Sequence, residues 1–446
     1  MMQALYLSAD VWKSASYSFI LNHMTSKGIA LLNRTNFFYA ALICAAATIP
    51  LSISNNDNNS LLSSWGFVLF CIAAFFSAFN RESKSRISSP GLWMLSMIFF
   101  LWLAVSYFWD YSGGFSIKDL EGYALFFFVP ILLAVIPKIP AKKIAWTCLS
   151  FVFSTTVVTI ICLVKAYLDF KIYGDSRIFY YHYLSMQVGI NAIYLSGYCV
   201  TSITWLLYFG YVNNKLVKLN KSVVIILCAY LSFIVFLLSS KMVISILLLM
   251  LVFFILYIGF LKKKLGMAVL LLVMIAIAGV IAVNKLPYLR WRIAVTQMKE
   301  YNGEKDDQNG VAVRLVIWKS AIELIRERPL LGYGIRGAKK AMQEKYEAKH
   351  FEVGLKNKFN CHNQYLETTL RSGIIGFAIF LSILIIALLK GIRQKNFLLL
   401  VLLLHFMCTS VVESTLEVQR GLIFFFFFIF LFFYHSPEPG SQQRNE

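Results

Sequence analysis

His362 is the residue of this 446-residue sequence that is best placed to act as a general base. It stands in the polar segment NCHNQYLETTLRSG, directly before a long apolar run. An imidazole can accept a proton from a hydroxyl group at neutral pH, which is the task of a base in a group-transfer reaction. A polar histidine at the start of a helix can also be purely structural, and the sequence leaves that alternative open.

Arg314 is the first cation that could neutralise an anionic ligand. It lies in the first turns of an amphipathic helix that the sequence predicts over about residues 309–328, ended by Pro329. The N-terminus of a helix already favours an anion, so an arginine there is best explained if it binds one. The alternative is a surface arginine that packs over Trp318.

Lys241 is the second candidate cation. It lies with Ser239 and Ser240 in a very short polar interruption between two apolar runs. A charge in such surroundings is costly and tends to be functional, although a lysine can also extend its ammonium group to water. The sequence contains no carboxylate cluster with metal-ligand spacing. We therefore expect no metal or other cofactor, and an anion held by protein cations instead.

The composition indicates the elements that must position these residues. The chain is 59% hydrophobic and 14% charged, whereas soluble domains carry about 25% charged residues. The net charge of +20 comes from short basic clusters between apolar runs, a pattern that orients membrane proteins and does not indicate a nucleic-acid partner. The sequence therefore predicts an all-α polytopic membrane protein.

The apolar runs predict about twelve spans, each near the 20 residues that a bilayer requires. We place them at roughly 37–54, 60–79, 92–109, 122–137, 144–166, 188–210, 222–239, 242–260, 265–283, 373–390, 396–413 and 420–435. Five alternate loops are basic, which predicts that they and both termini face the cytoplasm.

The spans divide the chain into five parts. We predict a cytoplasmic segment 1–36, spans one to nine over 37–283, a long polar loop 284–372, spans ten to twelve over 373–435, and a cytoplasmic tail 436–446. The alternation of basic loops places the long loop away from the cytoplasm, and we expect it to be partly helical. Its excess of Lys and Arg suggests an anionic ligand, although these residues can equally serve to solvate a surface. It contains the letters GYGIRG, which match a dinucleotide fingerprint; without a preceding strand they predict only a turn.

The sequence resembles the O-antigen ligase family of bacterial membrane glycosyltransferases, which is related to O-antigen polymerases and protein O-oligosaccharyltransferases. Three elements carry the resemblance: the SSKM turn, VRLVIWKSAIELIRERPLLGYG and HNQYLETTLRSGIIG. It implies an enzyme of the inner membrane, with its active site at the periplasmic face. Such an enzyme transfers a glycan from undecaprenyl diphosphate to lipid A–core without a metal, with inversion at the anomeric carbon.

The resemblance also implies residue roles. His362 corresponds to the catalytic base, and Arg314 to an arginine that binds the donor diphosphate. Lys241 stands where the family has a second arginine; a lysine keeps the charge but loses the two-pronged contact with phosphate. Lys118 resembles a further donor-binding cation more loosely. The implied partners are the lipid-linked glycan donor, the lipid A–core acceptor and membrane lipids.

Two other functions stay open at this point. An O-antigen polymerase would use the same donor and a second carrier-linked repeat unit as acceptor, and the sequence distinguishes the two poorly. A flippase for lipid-linked oligosaccharides is less favoured, because transporters of that kind commonly contain internal repeats and none is visible here.

Overall fold

The computed structural model describes residues 34–51, 61–78, 90–114, 116–238, 241–261 and 310–435, together with scattered positions between 263 and 284. Over these residues the fold is helical, and no strand occurs among them. The predicted all-α class is therefore confirmed for the described part of the chain.

Short connections separate the helices of the first half of the chain. In order these are α1 (Arg34–Leu51), α2 (Leu61–Ala78), α3 (Pro90–Val105), α4 (Ile117–Glu121), α5 (Leu125–Val135), α6 (Ala141–Tyr173), α7 (Tyr181–Met186), α8 (Ala192–Leu207), α9 (Lys221–Leu238) and α10 (Lys241–Leu261). The second half contains α11 (Gly310–Glu327), α12 (Gly337–Ala348), α13 (Glu352–Asn357), α14 (Gln364–Arg393), α15 (Phe397–Ser410) and α16 (Gln419–Tyr434).

Several of these helices suit a lipid bilayer. Within the described residues, five helices are long and apolar enough to cross one: Gly91–Trp109, Ala141–Tyr173, Ala192–Val212, Lys221–Leu238 and Gln364–Arg393. Further apolar helices, among them α1, α2, α15 and α16, are shorter. The architecture fits a multi-pass membrane protein, while the number of about twelve spans stays a prediction.

The predicted fourth span, 122–137, differs from the observed element. A single 3₁₀ turn leads into α5, which has only 11 residues and is about 17 Å long at 1.5 Å per residue. Ile136 ends it in an extended conformation, as expected of a residue that precedes a proline, here Pro137. The predicted ninth span, 265–283, lies largely outside the described residues.

The membrane helices share a core rich in aromatic side chains. The phenylalanine run of α16 is buried throughout. Phe426 contacts Phe126 of α5 with the ring centroids 4.3 Å apart, and Phe427 contacts Phe70 of α2 with the ring centroids 5.3 Å apart. α16 therefore packs at the centre of the bundle, which fixes the short loop before it, residues 411–418, at one end of the core.

The described part of the long polar loop, residues 310–372, folds as a helical module. Helices α11, α12 and α13 enclose a second hydrophobic core, to which Cys361 and Leu370 at the end of the loop also belong. This agrees with the prediction of a partly helical loop. Helix α11 ends at Glu327, close to the predicted end before Pro329. The predicted position of the loop outside the membrane stays a prediction.

The module is joined to the membrane helices through a kink in α14. Gly373 has φ +66° and ψ −175° and interrupts the helical conformation, at the position where the tenth span was predicted to begin. A Cβ atom at Gly373 would lie 1.9 Å from the carbonyl oxygen of Leu330. Only glycine fits there, because both the positive φ and this close approach exclude a side chain. Residues 364–372 therefore form a separate short helix above the span.

Candidate active site

His362 is held in a defined position before α14. Its backbone N–H donates to the side-chain oxygen of Asn360 at 3.0 Å, and the side chain of Asn363 caps the helix by accepting from Leu366 N–H at 3.0 Å. The φ angle of His362 is +42°, a left-handed conformation that costs a non-glycine residue roughly 1 kcal/mol or more. Strain at a residue fixed on both sides is a feature of functional sites.

A buried carboxylate faces the His362 ring. Glu413 Oε2 lies 3.6 Å from His362 Nδ1, and the two side chains are 8% and 26% exposed. This distance allows an electrostatic interaction but exceeds a hydrogen bond, and Nδ1 indeed has no hydrogen-bond partner among the described residues. The Nδ1 edge of the ring therefore faces the carboxylate, and Nε2 lies on the other edge of the ring.

The loop 411–418 that carries Glu413 is bonded directly to the segment around His362. Leu416 N–H donates to Gln364 Oε1 at 2.7 Å, and Asn363 N–H donates to Ser414 Oγ at 3.3 Å. Both bonds join a backbone N–H to a side-chain oxygen, and both lie just after His362 and Glu413 along the chain. They hold the two segments that carry the pair together.

Arg314 lies on a helix that is bonded to the same segment. The indole N–H of Trp318 donates to the carbonyl oxygen of Cys361 at 3.1 Å, and Arg314 is one turn before Trp318, on the same side of α11. Arg314 is half-buried, and it has no ion pair with any other described residue. The structure thus brings the Arg314 helix against the residue next to His362.

Lys241 is the first residue of α10, but its side chain lies outside the described residues, as do Ser239 and Ser240. Its role as a diphosphate ligand stays a prediction.

A buried ionic network lies behind His362. Arg371 Nε donates to Glu367 Oε1 at 2.7 Å, and its Nη2 contacts Glu417 Oε2. Glu367 accepts from Cys361 N–H at 2.9 Å, and Glu417 accepts from the hydroxyl of Tyr123 at 2.5 Å. Burial raises the pKa of the Glu417 carboxyl above its ordinary value, although Arg371 opposes the shift. The network links the backbone next to His362 to the 3₁₀ turn that precedes α5.

A large cleft opens on the other side of this network. It has a volume of about 1650 Å³ and is lined by apolar side chains of α2, α5 and α16, by the start of α12, and by Arg371 and Glu417. Lys118 lines it too. Among the described residues that line the cleft, neither His362 nor Arg314 is found. Of the predicted site residues whose side chains are described, Lys118 is therefore the one that lines this cleft.

Sequence reasoning missed Glu413, Glu417 and Arg371. Arg371 could have been paired with Glu367 from their spacing of four residues on a helix. The short stretch VVESTLEVQR, which holds both other glutamates, was assigned only to a span end and a connecting loop. Its proximity to His362 depends on α15 and α16 returning beside α14, which no local signal reports.

The glycine-rich segment GYGIRG forms the predicted turn. The close packing of this turn explains why it contains glycines. The turn follows α11 and leads into α12 without a strand. Asp110 Oδ2 accepts from the backbone N–H groups of Arg336 and Gly337 at 2.9 and 3.1 Å. A Cβ at Gly334 would lie 2.4 Å from the same carboxylate. The glycines thus allow a protein carboxylate, and not a nucleotide phosphate, to approach the backbone.

Fold and site together fit a helical membrane protein in which a histidine faces a buried carboxylate and the helix that carries Arg314 contacts the same segment. Residues 225–381 match the family model described as O-Antigen ligase. This match, over about a third of the chain, confirms the resemblance to the O-antigen ligase family. It includes the positions of Lys241, Arg314 and His362, but not Lys118 or the loop that carries Glu413.

A curated protein is also similar. It is described as an uncharacterized protein of Haemophilus influenzae and is 25% identical over 142 residues, which is 32% of this chain and 36% of that protein. The similarity thus spans little more than a third of the relative's length, and its description assigns no activity.

Proposed function

We propose that this protein is an inverting, metal-independent glycosyltransferase that moves an O-antigen glycan from undecaprenyl diphosphate to lipid A–core at the periplasmic face of the bacterial inner membrane. The family match supports glycosyl transfer of the O-antigen ligase type. One observation carries the residue assignment: the His362 ring faces the buried Glu413. The segment that carries His362 is also contacted by the Arg314 helix, through the Trp318–Cys361 hydrogen bond.

The base acts on the acceptor. His362 takes the proton of the acceptor hydroxyl at Nε2, while Glu413 stabilises the positive charge that the imidazole gains. The hydroxyl oxygen forms a bond to the anomeric carbon as the bond from that carbon to the diphosphate oxygen breaks. Attack from the face opposite the leaving group inverts the configuration.

The cations act on the leaving group. Negative charge grows on the diphosphate as the glycosidic bond breaks, and fixed cations in a water-poor site stabilise this charge more than bulk water would. We assign this role to Arg314 and Lys241, without a metal. Because a diphosphate is bonded directly to the reacting carbon, its ligands must lie close to the base. Lys118, which lines the cleft, is therefore a weaker candidate for the donor than the resemblance implied.

The test is mass spectrometry of lipopolysaccharide from a strain that lacks this protein, complemented with variants. The informative variant is His362→Asn, because asparagine tolerates the left-handed backbone of this position but cannot serve as the base. The matched control is His350→Asn, an exposed histidine of the same module that also has a positive φ. Immunoblots of the membrane fraction verify equal insertion.

We expect the wild-type protein and the His350 variant to restore O-chains on lipid A–core, and the His362 variant to leave the core bare. Lys241→Arg should also restore them, because the charge is kept. Full decoration by the His362 variant would refute the base assignment. Single attached repeat units in the deletion strain would indicate a polymerase instead of a ligase.

A further inference from the structure

The cleft has one wall of exposed apolar side chains. Trp65, Val68, Ile72 and Phe75 of α2 are exposed, line the cleft and are spaced by three or four residues, so they form one stripe along the helix. Exposed Phe128 of α5 also lines the cleft. These side chains form a surface on which acyl chains can lie.

The cleft also has a basic rim. Arg336, Lys339 and Lys340 occupy the start of α12 at spacings of three and four residues, and Lys118 of α4 belongs to the rim too. All four line the cleft. Lys339 and Lys340 are exposed, and Lys340 lies 4.0 Å from Glu344, a weak and solvent-screened pair.

Two carboxylates partly offset this charge. Asp119 pairs with Arg336 at 3.2 Å, and Glu121 also lines the cleft. Glu417, the third lining carboxylate, is already paired with Arg371 within the buried network. The rim therefore keeps an excess of positive charge next to an apolar wall. An amphiphile with acyl chains and an anionic head group complements both surfaces.

We infer that the cleft binds the acceptor, a glycolipid whose phosphates contact Lys339, Lys340 and Arg336 while its acyl chains lie along α2 and α5. This inference rests on the proposed function and names the site of its second substrate. We assign the cleft to the acceptor and not to the donor because the donor diphosphate is attached to the reacting carbon, and neither His362 nor Arg314 is among the described residues that line the cleft. In lipid A–core, sugars separate the lipid phosphates from the acceptor hydroxyl, so the phosphates can bind at a distance from the base.

The test measures lipid binding to a purified protein that cannot turn over. Native mass spectrometry in detergent counts lipids bound to the full-length His362→Asn variant. The probes are lipid A–core, the same lipid after removal of its phosphates, undecaprenyl diphosphate and phosphatidylglycerol. The charge-removing change is Lys339→Gln with Lys340→Gln. The control is Lys319→Gln with Lys356→Gln, two exposed lysines of the same module that do not line the cleft.

We expect the Lys339/Lys340 change to weaken binding of lipid A–core about 30-fold, at about fivefold per lost charge. Binding of the dephosphorylated lipid and of undecaprenyl diphosphate should not change, nor should the control protein differ from its parent. In proteins with His362 intact, the same change should raise the acceptor KM without affecting kcat or the donor KM.

Three results would overturn the inference. One is equal binding of lipid A–core to both double variants. Another is a selective loss of undecaprenyl diphosphate, which would assign the cleft to the donor. The third is an equal loss of phosphatidylglycerol, which would indicate a general anionic-lipid surface. Because binding is measured without turnover, these outcomes are independent of whether the proposed transfer reaction occurs.

Discussion

The cleft and the region around His362 are formed by different parts of the chain. His362 and Arg314 lie within 49 positions of each other, in one module with its own core, and only Glu413 comes from elsewhere. The cleft collects side chains from α2, α4, α5, α12, α14 and α16. The first region is strained, partly buried and polar, which suits the transfer chemistry that we propose for it. The second is wide and amphipathic, which suits the lipid binding that we infer for it.

The comparison teaches that catalysis and lipid binding place different demands on the chain. A base and a leaving-group cation must be held within a few ångströms, which short connections and backbone bonds achieve. A surface that binds a lipid must be large, with an apolar part for the acyl chains and a basic part for the head group. Several helices together are needed to form such a surface. The buried Glu367–Arg371–Glu417 network lies between the two regions and connects them.

The largest effect should come from breaking that network. Arg371→Met leaves two buried carboxylates without their cation, and we expect a loss of about 3–5 kcal/mol in stability. A lowered unfolding temperature in detergent measures it. Arg393→Met, an exposed arginine at the other end of α14, is the control. Adding Glu417→Gln to Arg371→Met should recover part of the loss; no recovery would mean that the two charges are not coupled.

The next effect tests whether the His362 region contains the donor site. Arg314→Ala should lower kcat by about 10²–10³-fold, the range for removing one fixed group that stabilises developing charge. Arg314→Lys should retain part of the rate, and Arg326→Ala, at the exposed end of the same helix, should retain all of it. Transfer kinetics with purified protein decide this, and an unchanged kcat for Arg314→Ala would remove Arg314 from the mechanism.

A smaller effect tests the carboxylate beside the base. Glu413→Gln keeps the shape of the side chain but removes the charge that stabilises the imidazolium, so kcat should fall about tenfold with both KM values unchanged. Glu413→Asp should restore part of kcat. Glu347→Gln serves as the control because Glu347 is an exposed glutamate of α12. A change in KM with kcat retained would indicate a substrate contact and not a positioning role.

The smallest effect decides to which region Lys118 belongs. Because Lys118 is exposed and lines the cleft, Lys118→Ala should raise the acceptor KM about fivefold, as one surface charge near a lipid head group does. The donor KM and kcat should stay the same. A rise in the donor KM instead would restore the donor role that the resemblance implied and would contradict the separation of the two regions.

Local patterns in the sequence predicted much of the region around His362. The apolar run after Gly373, the amphipathic helix around Arg314 and the polar segment with His362 each have the predicted character, because helix ends and membrane entry depend on neighbouring residues. Glu413 was not predictable in this way. Glu413 comes close to His362 through hydrogen bonds such as that from Leu416 N–H to Gln364. Such bonds join segments that are 52 residues apart in the sequence.

The sequence by itself determined that this chain is helical and rich enough in apolar residues for a membrane, and which imidazole and which arginine are candidates for chemistry. These properties depend on composition, on the periodicity of apolar residues and on the spacing of residues close in sequence. All three are already present in the unfolded chain. Only the tertiary structure decided that Glu413 faces His362, that Arg371 lies buried between two carboxylates, and that Lys118 belongs to a cleft with α2 and α12. Such contacts arise from the packing of helices distant along the chain, so no local pattern could specify them.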